Sequence, residues 1–337
     1  MAIKVAINGF GRIGRLAYRL IADDANFEVV AVNDLTDAET LAYLLKYDTA
    51  QGIFKVNSIS FEGSDLVVDG KRIPILSEKD PKNLPWRKLD VDVVLECTGF
   101  FTDEVKAGWH LEAGAKKVVI SAPASGNVKT IVYNVNDDTL NGDEDILSGA
   151  SCTTNCLAPV AKVLDDNFGI LAGFMTTVHA YTSDQALQDS PHKKGIYARR
   201  GRNAAANIVP ASTGAAKALG LVLPQLKGKL DGTALRVPTV TGSIVDLTVE
   251  IKKPATKDEI NAAFKAAANE TLAYVTDPIV SSDVIGSSFG SLFDSNCTQV
   301  MNVDGKCFVK VMSWYDNEMS YTNQLIRTVK KLASLIK

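Results

Sequence analysis

Hydrophobic and polar positions fall into two textures along this chain. In the first third, short apolar runs alternate with stretches whose apolar residues recur every three or four positions. Ile3–Asn8 reads as a buried strand, and residues 13–22 carry Ile13, Leu16, Ala17, Leu20 and Ile21 at helical spacing. A β-branched run over 29–33 ends at Asp34, and residues 40–47 predict a helix. Residues 92–95 and Lys117–Ile120 are further strand candidates, separated by a helix-like stretch over 105–113. This alternation predicts a parallel sheet with helices on both faces. Residues 55–75 interrupt it, because Glu62-Gly63 and Asp69-Gly70 are turn signals between short strands and suggest antiparallel hairpins.

The second texture begins near residue 150. A helix covers 159–167 and ends at Gly169. Residues 170–179, 234–240, Ser243–Ile251 and 306–312 are rich in β-branched residues and predict long strands joined by turns, a mostly antiparallel sheet. An alanine-rich helix with an acidic first turn is expected over 256–269, and an amphipathic helix over 320–336 closes the sequence. There is no internal repeat, low-complexity tract or obvious linker, so a domain boundary rests on the change of pattern near 149–152.

Composition narrows the picture modestly. A length of 337 residues favours two domains, and 46% apolar with 22% charged residues is ordinary for a globular protein. The net charge of −3 gives no reason to expect a nucleic acid or an anionic membrane as partner. No apolar run approaches the roughly 20 residues that span a bilayer. The first residues enter a strand pattern without a basic segment and a signal-like core, so a cytoplasmic location is expected. The five cysteines, Cys97, Cys152, Cys156, Cys297 and Cys307, form no C-x-x-C pair and no disulfide framework. His110, His179 and His192 lack zinc-ligand spacing beside them, so no metal is expected. Cys152 and Cys156 lie one helical turn apart, too far for an unstrained bridge, and reduced thiols are expected.

Two motifs carry chemistry. Gly9, Gly11 and Gly14 form G-x-G-x-x-G between a predicted strand and a predicted helix, and Asp34 follows 20 positions after Gly14 at the end of the next strand. That context is the one a dinucleotide requires: tight turn, close backbone approach, helix N-terminus toward the pyrophosphate, carboxylate toward the ribose hydroxyls. A 2′-phosphate would meet the Asp34 carboxylate with no arginine nearby in sequence, so NAD is expected over NADP. The second motif is Ala150-Ser151-Cys152-Thr153-Thr154-Asn155. A free cysteine is most often a small apolar filler. Here the hydroxyl-rich setting before an apolar stretch reads instead as a thiol at a helix N-terminus, where partial positive charge and open N–H groups favour the nucleophilic thiolate.

The second motif resembles the active-site signature of phosphorylating glyceraldehyde-3-phosphate dehydrogenases. The resemblance runs from the 8–14 fingerprint through His179-Ala180-Tyr181-Thr182 and the 210–217 segment to the 313–321 segment. It implies an α/β Rossmann dinucleotide-binding domain, residues 1–150 with 314–337, plus an α+β catalytic domain with a mostly antiparallel sheet, residues 151–313. It also implies that Cys152 forms a thiohemiacetal and then a thioester with glyceraldehyde 3-phosphate, that His179 is the base holding Cys152 as thiolate, and that inorganic phosphate releases 1,3-bisphosphoglycerate. Ser151, Thr153, Thr213 and Gly214 would hold one phosphate, and Thr182 and Arg236 the other, with Arg200 among the anion contacts. Arg12, Ile13, Lys79, Ser121 and Asn317 would join Gly9, Gly11, Gly14 and Asp34 around NAD, Asn317 at the nicotinamide carboxamide. A glycolytic homotetramer is implied. Lys79 stands where an arginine is common. The 191–200 run is longer than in many relatives, leaving open how Arg199 and Arg200 divide their roles, while Leu187 and Pro191 fit an apolar wall beside NAD. An erythrose-4-phosphate dehydrogenase, a biosynthetic NADP-accepting relative and a non-catalytic NAD-binding or adhesion protein are the rival readings.

Overall fold

The structure, a computed structural model, describes residues 2–335. The chain divides into two compact units: residues up to 150 together with those from 325 onward, and residues 151–324. The second crossing lies at 324/325 rather than 313/314. Trp314 and Tyr315 are still part of a strand, and Asp316, Asn317 and Ser320 are hydrogen-bonded to Thr241, Ser243 and Ser287 of the second unit.

The first unit is built on a nine-stranded sheet. Its order is Lys129–Thr130, Ile146–Ser148, Lys117–Ile120, Val93–Glu96, Ile3–Asn8, Phe27–Asn33, Lys71–Leu76, Asp65–Val68 and Ile59–Glu62. Pairing is parallel as far as Lys71–Leu76 and antiparallel across the last two steps, which are the hairpins expected from the two turn signals. Apolar residues such as Val5, Ile7, Val93, Leu95 and Val119 are fully buried, as strands covered on both faces require. The helix Arg12–Ile21 follows the first strand directly. The segment from 325 adds Leu325, Val329 and Leu332 to this core, a helical i, i+4, i+7 stripe.

The second unit carries a seven-stranded sheet in the order Val209–Ser212, Leu230–Val237, Ile170–Ala180, Ser243–Ile251, Lys306–Tyr315, Ser291–Val303 and Leu272–Val275. Four of its six pairings are antiparallel. The helix Cys152–Phe168 is capped at its start by Ser151 and stops at Gly169, whose φ of 72° lies in the left-handed region. Three strands were not evident from pattern. Ser291–Val303, the longest, is broken by a register shift between Asp294 and Gln299 and is rich in Asn, Asp and Ser, which scrambles its alternation. Among the described residues no helix is long and apolar enough to cross a membrane.

Candidate active site

Within the first unit, Asn8, Asn33 and Glu96 end three adjacent parallel strands in register. Their side chains form one buried chain. Asn33 Nδ2 donates to Asn8 Oδ1 at 2.7 Å, and Asn8 Nδ2 donates to Glu96 Oε2 at 2.6 Å. His110 Nε2 sits 3.1 Å from Glu96 Oε2, while its Nδ1 accepts from Trp86 Nε1 at 3.0 Å. Glu96 also accepts the Thr98 backbone N–H at 2.8 Å. This network fixes the carboxyl edge of the sheet at the point where strand order reverses, the place where open α/β sheets bind ligands.

The glycines next to that edge differ in what surrounds them. A Cβ on Gly14 would lie 2.1 Å from Gly9 O, so Gly14 lets the helix pack against the turn. Gly9 has φ +91° and sits against Thr98. A Cβ on Gly11 would meet nothing within 4 Å. Gly11 is also the N-cap of Arg12–Ile21 and offers no side chain to the helix's first N–H groups. Open space and uncapped donors fit an anionic pyrophosphate. Asp34 accepts from Phe10 N at 2.7 Å and Thr36 N at 2.9 Å, which holds its carboxylate beside the turn. These residues fit a dinucleotide. Arg12 pairs with Asp48, Ser121 N donates to Glu96 O at 2.9 Å, and Lys79 is exposed.

Cys152 begins the helix of the second unit, and its Sγ lies 3.4 Å from His179 Nε2. Strand pairing explains the meeting of His179 and Arg236: they are register partners on Ile170–Ala180 and Leu230–Val237. His179 Nδ1 lies 2.7 Å from Ala180 O. Donation there leaves Nε2 with a lone pair aimed at the sulfur. Arg236 Nη1 donates to Ala180 O at 3.0 Å and Thr182 Oγ1 at 2.9 Å, and sits 3.1 Å from His179 Nδ1.

The electrostatics correct one expectation. Burial pushes the Cys152 thiol up, and the Arg236 cation pulls only partly against it. The residue is half-buried rather than sealed, so solvent relieves part of that cost. Burial and then the Arg236 cation push His179 down to about 3. A helix N-terminus therefore does not by itself hold Cys152 as thiolate. Moving the thiol proton to Nε2 creates two opposite charges 3.4 Å apart. At an effective dielectric of 20 their attraction is about 5 kcal/mol, comparable to several pH units of desolvation. The helix end and Arg236 both pull the thiol down against its burial, and the imidazole places a base within reach of its proton.

The expected anion residues divide. Thr182, Asp184, Arg200 and Arg236 form one connected group, with Thr182 donating to Asp184 and Arg200 Nη1 paired with Asp184 Oδ2. Burial works against the Asp184 charge, yet the Thr182 and Arg200 donors outweigh it and keep the carboxyl below its usual range. Arg200 is thus the arginine turned to this group, while Arg199 is exposed. Asp184 was not singled out from sequence; an acidic residue two positions after Thr182 was the available signal. Ser151 Oγ accepts Thr154 N at 3.0 Å as the helix cap. Thr153 is buried with its hydroxyl 2.9 Å from Tyr315 Oη, which also lies 2.8 Å from Thr177 Oγ1. The Thr153 side chain thus faces inward, and an anion at this helix end would meet its backbone N–H. Thr213 Oγ1 accepts Ala215 N at 3.2 Å, and Gly214 is the N-cap of Ala215–Val222. Asn317 is buried, with Oδ1 against Ser243 Oγ at 2.8 Å and Thr241 Oγ1 at 3.2 Å.

Comparison with known proteins accords with this geometry. Residues 3–104 match the family model of the glyceraldehyde 3-phosphate dehydrogenase NAD binding domain, and residues 151–317 that of the C-terminal domain. The chain is 60% identical over 334 residues, 99% of both chains, to the glyceraldehyde-3-phosphate dehydrogenase of Clostridium pasteurianum. It is 58% identical, again over 99% of both chains, to that of Clostridium acetobutylicum. With that of Streptococcus pyogenes serotype M1 it shares 57% over the full length of both. This chain belongs to the glyceraldehyde-3-phosphate dehydrogenase family.

Proposed function

We propose that this chain oxidises D-glyceraldehyde 3-phosphate with NAD and inorganic phosphate, releasing 1,3-bisphosphoglycerate and NADH in glycolysis. The observation that carries this reading is the Cys152–His179 pair at 3.4 Å, with Nδ1 tethered so that Nε2 faces sulfur and with Arg236 alongside.

His179 Nε2 takes the thiol proton as Sγ adds to the aldehyde carbon, and returns it to the new oxyanion, giving a thiohemiacetal on Cys152. It then accepts the hydroxyl proton as the carbon–hydrogen bond gives up its electron pair, leaving a thioester. When bound, NAD supplies the ring that receives this hydride. Phosphate attacks the thioester carbon, the carbon–sulfur bond breaks, and the acyl phosphate leaves with Cys152 regenerated. Thr182 and Arg236, with Arg200 behind them, suit one phosphate, because an arginine fork donates two parallel bonds to an anion. Ser151, Thr153, Thr213 and Gly214 would supply the second at two helix N-termini. Gly9, Gly11, Gly14, Arg12, Ile13, Asp34, Lys79, Ser121 and Asn317 are the proposed NAD contacts.

A homotetramer and a cytoplasmic location belong to the same proposal. Leu187, Ile196 and Tyr197 are 83%, 90% and 92% exposed, an apolar display that suits a subunit contact. All five cysteines are free thiols, which suits a reducing compartment. The test is NADH formation from glyceraldehyde 3-phosphate with and without inorganic phosphate, with erythrose 4-phosphate as competing aldehyde. Turnover that ignores phosphate, or a higher kcat/KM for the tetrose, overturns the assignment. Cys152→Ser should abolish turnover while NAD still binds.

A further inference from the structure

One end of the buried Asn317 amide lies against the Ser243 and Thr241 hydroxyls, and the hydrogen-bond directions around it decide which end that is. Asp316, fully buried, accepts from Thr241 Oγ1 at 2.6 Å, Glu318 N at 2.9 Å and Gly286 N at 2.8 Å. Its own N–H donates to Ser320 Oγ at 3.0 Å. The 241–243 turn is equally fixed: Gly242 has φ +88°, and a Cβ there would lie 2.0 Å from Ser281 O. Neither side of the Asn317 contact is free to drift.

Ser243 Oγ accepts the Ala180 N–H at 3.0 Å, and a backbone amide can only donate. The Ser243 proton is therefore directed elsewhere, and Asn317 Oδ1 lies 2.8 Å away. Thr241 spends its proton on the Asp316 carboxylate, the shorter of its two contacts. If the Asn317 amide were turned over, Nδ2 could donate to both hydroxyls, but the Ser243 proton would then be stranded at a site 1% exposed. A buried unpaired donor is what native structures avoid.

We infer that Ser243 is a positioning residue that sets Asn317 with its oxygen inward and its NH2 outward, so that the site offers a donor and selects dinucleotides bearing a carbonyl acceptor on the pyridinium ring. The inference rests on the proposed contact of Asn317 with the nicotinamide carboxamide. It gives Ser243 a second role, since the same hydroxyl binds the backbone next to His179 and couples the base's strand to the cofactor contact.

The test measures Kd, by calorimetric titration, for NAD and for the 3-acetylpyridine analogue, whose acetyl oxygen accepts but which has no N–H to give. In the unaltered protein a donor serves both, and the two Kd values should lie within a fewfold. In Ser243→Ala the stranded proton is gone, Nδ2 turns inward to Thr241, and Oδ1 faces the ligand. NAD can then rotate its carboxamide to donate, whereas the analogue cannot, so the analogue should lose about tenfold relative to NAD. Thr241→Val should leave that ratio unchanged, because Ser243 still dictates the orientation. Asn317→Asp, with acceptors at both positions, should reproduce the Ser243→Ala ratio. Should Ser243→Ala fold poorly, Ser243→Cys keeps the volume with a weak donor and should move the ratio the same way by less. An unchanged ratio in the Ser243 variants, or an equal shift in Thr241→Val, overturns the inference. Unchanged binding of both ligands by Asn317→Ala would instead overturn the underlying contact.

Discussion

Replacing His179 by asparagine tests whether the imidazole or the helix end creates the nucleophile. The substituted amide would keep a polar group in place and remove the base. The structure puts Sγ and Nε2 at 3.4 Å, and the coupling of about 5 kcal/mol at an effective dielectric of 20 corresponds to between 3 and 4 pH units. That attraction acts only while Nε2 carries the thiol proton, and a ring pushed down to about 3 is neutral at assay pH, so the variant is expected to lose the base-assisted rate near neutral pH, by about 100-fold, and to react only as free thiolate forms. The assay is the rate of alkylation by iodoacetamide as a function of pH, with Cys152→Ser as the blank. That blank matters because Cys97 and Cys297 are half-buried, while Cys156 and Cys307 are buried and should be slow. The unaltered protein should show reactive sulfur well below the pH at which the variant does. A variant profile within half a unit of the unaltered one would refute the reasoning, and would assign the thiolate to the helix N-terminus and Arg236 instead.

Four further outcomes are expected. His179 is buried and pushed down to about 3, against about 6.5 when unfolded, so its contribution is fully present above pH 6.5 and is lost as pH falls toward 3. Urea titrations below pH 6 should show the His179→Asn protein losing less stability than the unaltered one, by about 1.4 kcal/mol per pH unit at most; parallel curves would contradict this. Gly11→Ala should melt normally yet bind NAD at least tenfold more weakly, while Gly14→Ala, with Gly9 O at 2.1 Å from the new Cβ, should lower the melting temperature as well. Asp34→Ala should narrow the NAD to NADP preference in kcat/KM by about tenfold or more, the worth of roughly 1.4 kcal/mol of removed repulsion. Arg236→Lys loses the Nη1 donor shared by Thr182 and Ala180 together with the planar guanidinium, and should raise KM for the aldehyde or for phosphate by about 10- to 100-fold, at roughly 1.5–3 kcal/mol per charged hydrogen bond.

The first unit was largely legible because its signals are local. A buried parallel strand shows as an apolar run, and a glycine turn shows as three glycines at fixed spacing, so Ile3–Asn8 and Lys117–Ile120 fall where the pattern puts them. What pattern cannot show is that Asn8, Asn33 and Glu96 end level with one another, because register is decided between strands. In the second unit the polar alternation of Ser291–Val303 is interrupted by its own bulge, and the strand disappears from a reading that relies on period.

The site shows the same divide more sharply. Cys152 stood out by its neighbours in sequence, whereas His179 emerged only through family resemblance, since a lone histidine after an apolar strand has no local mark of a base. Tyr315 bonds Thr153 across 162 positions, and Asp316 reaches Thr241 across 75. No periodicity encodes such pairs; they exist because strand order brings Lys306–Tyr315 beside Ser243–Ile251, and Ser243–Ile251 beside Ile170–Ala180. The corrected expectation about Cys152 has this origin too. A helix start can be read from Ser151 onward, and it argues for a thiolate. The burial that argues against it is not written in the motif, nor is Arg236, which reverses part of it, nor the imidazole that lies 3.4 Å from the sulfur. A local motif therefore marks the cysteine, while the imidazole and the guanidinium that bear on its proton arrive on paired strands of the sheet.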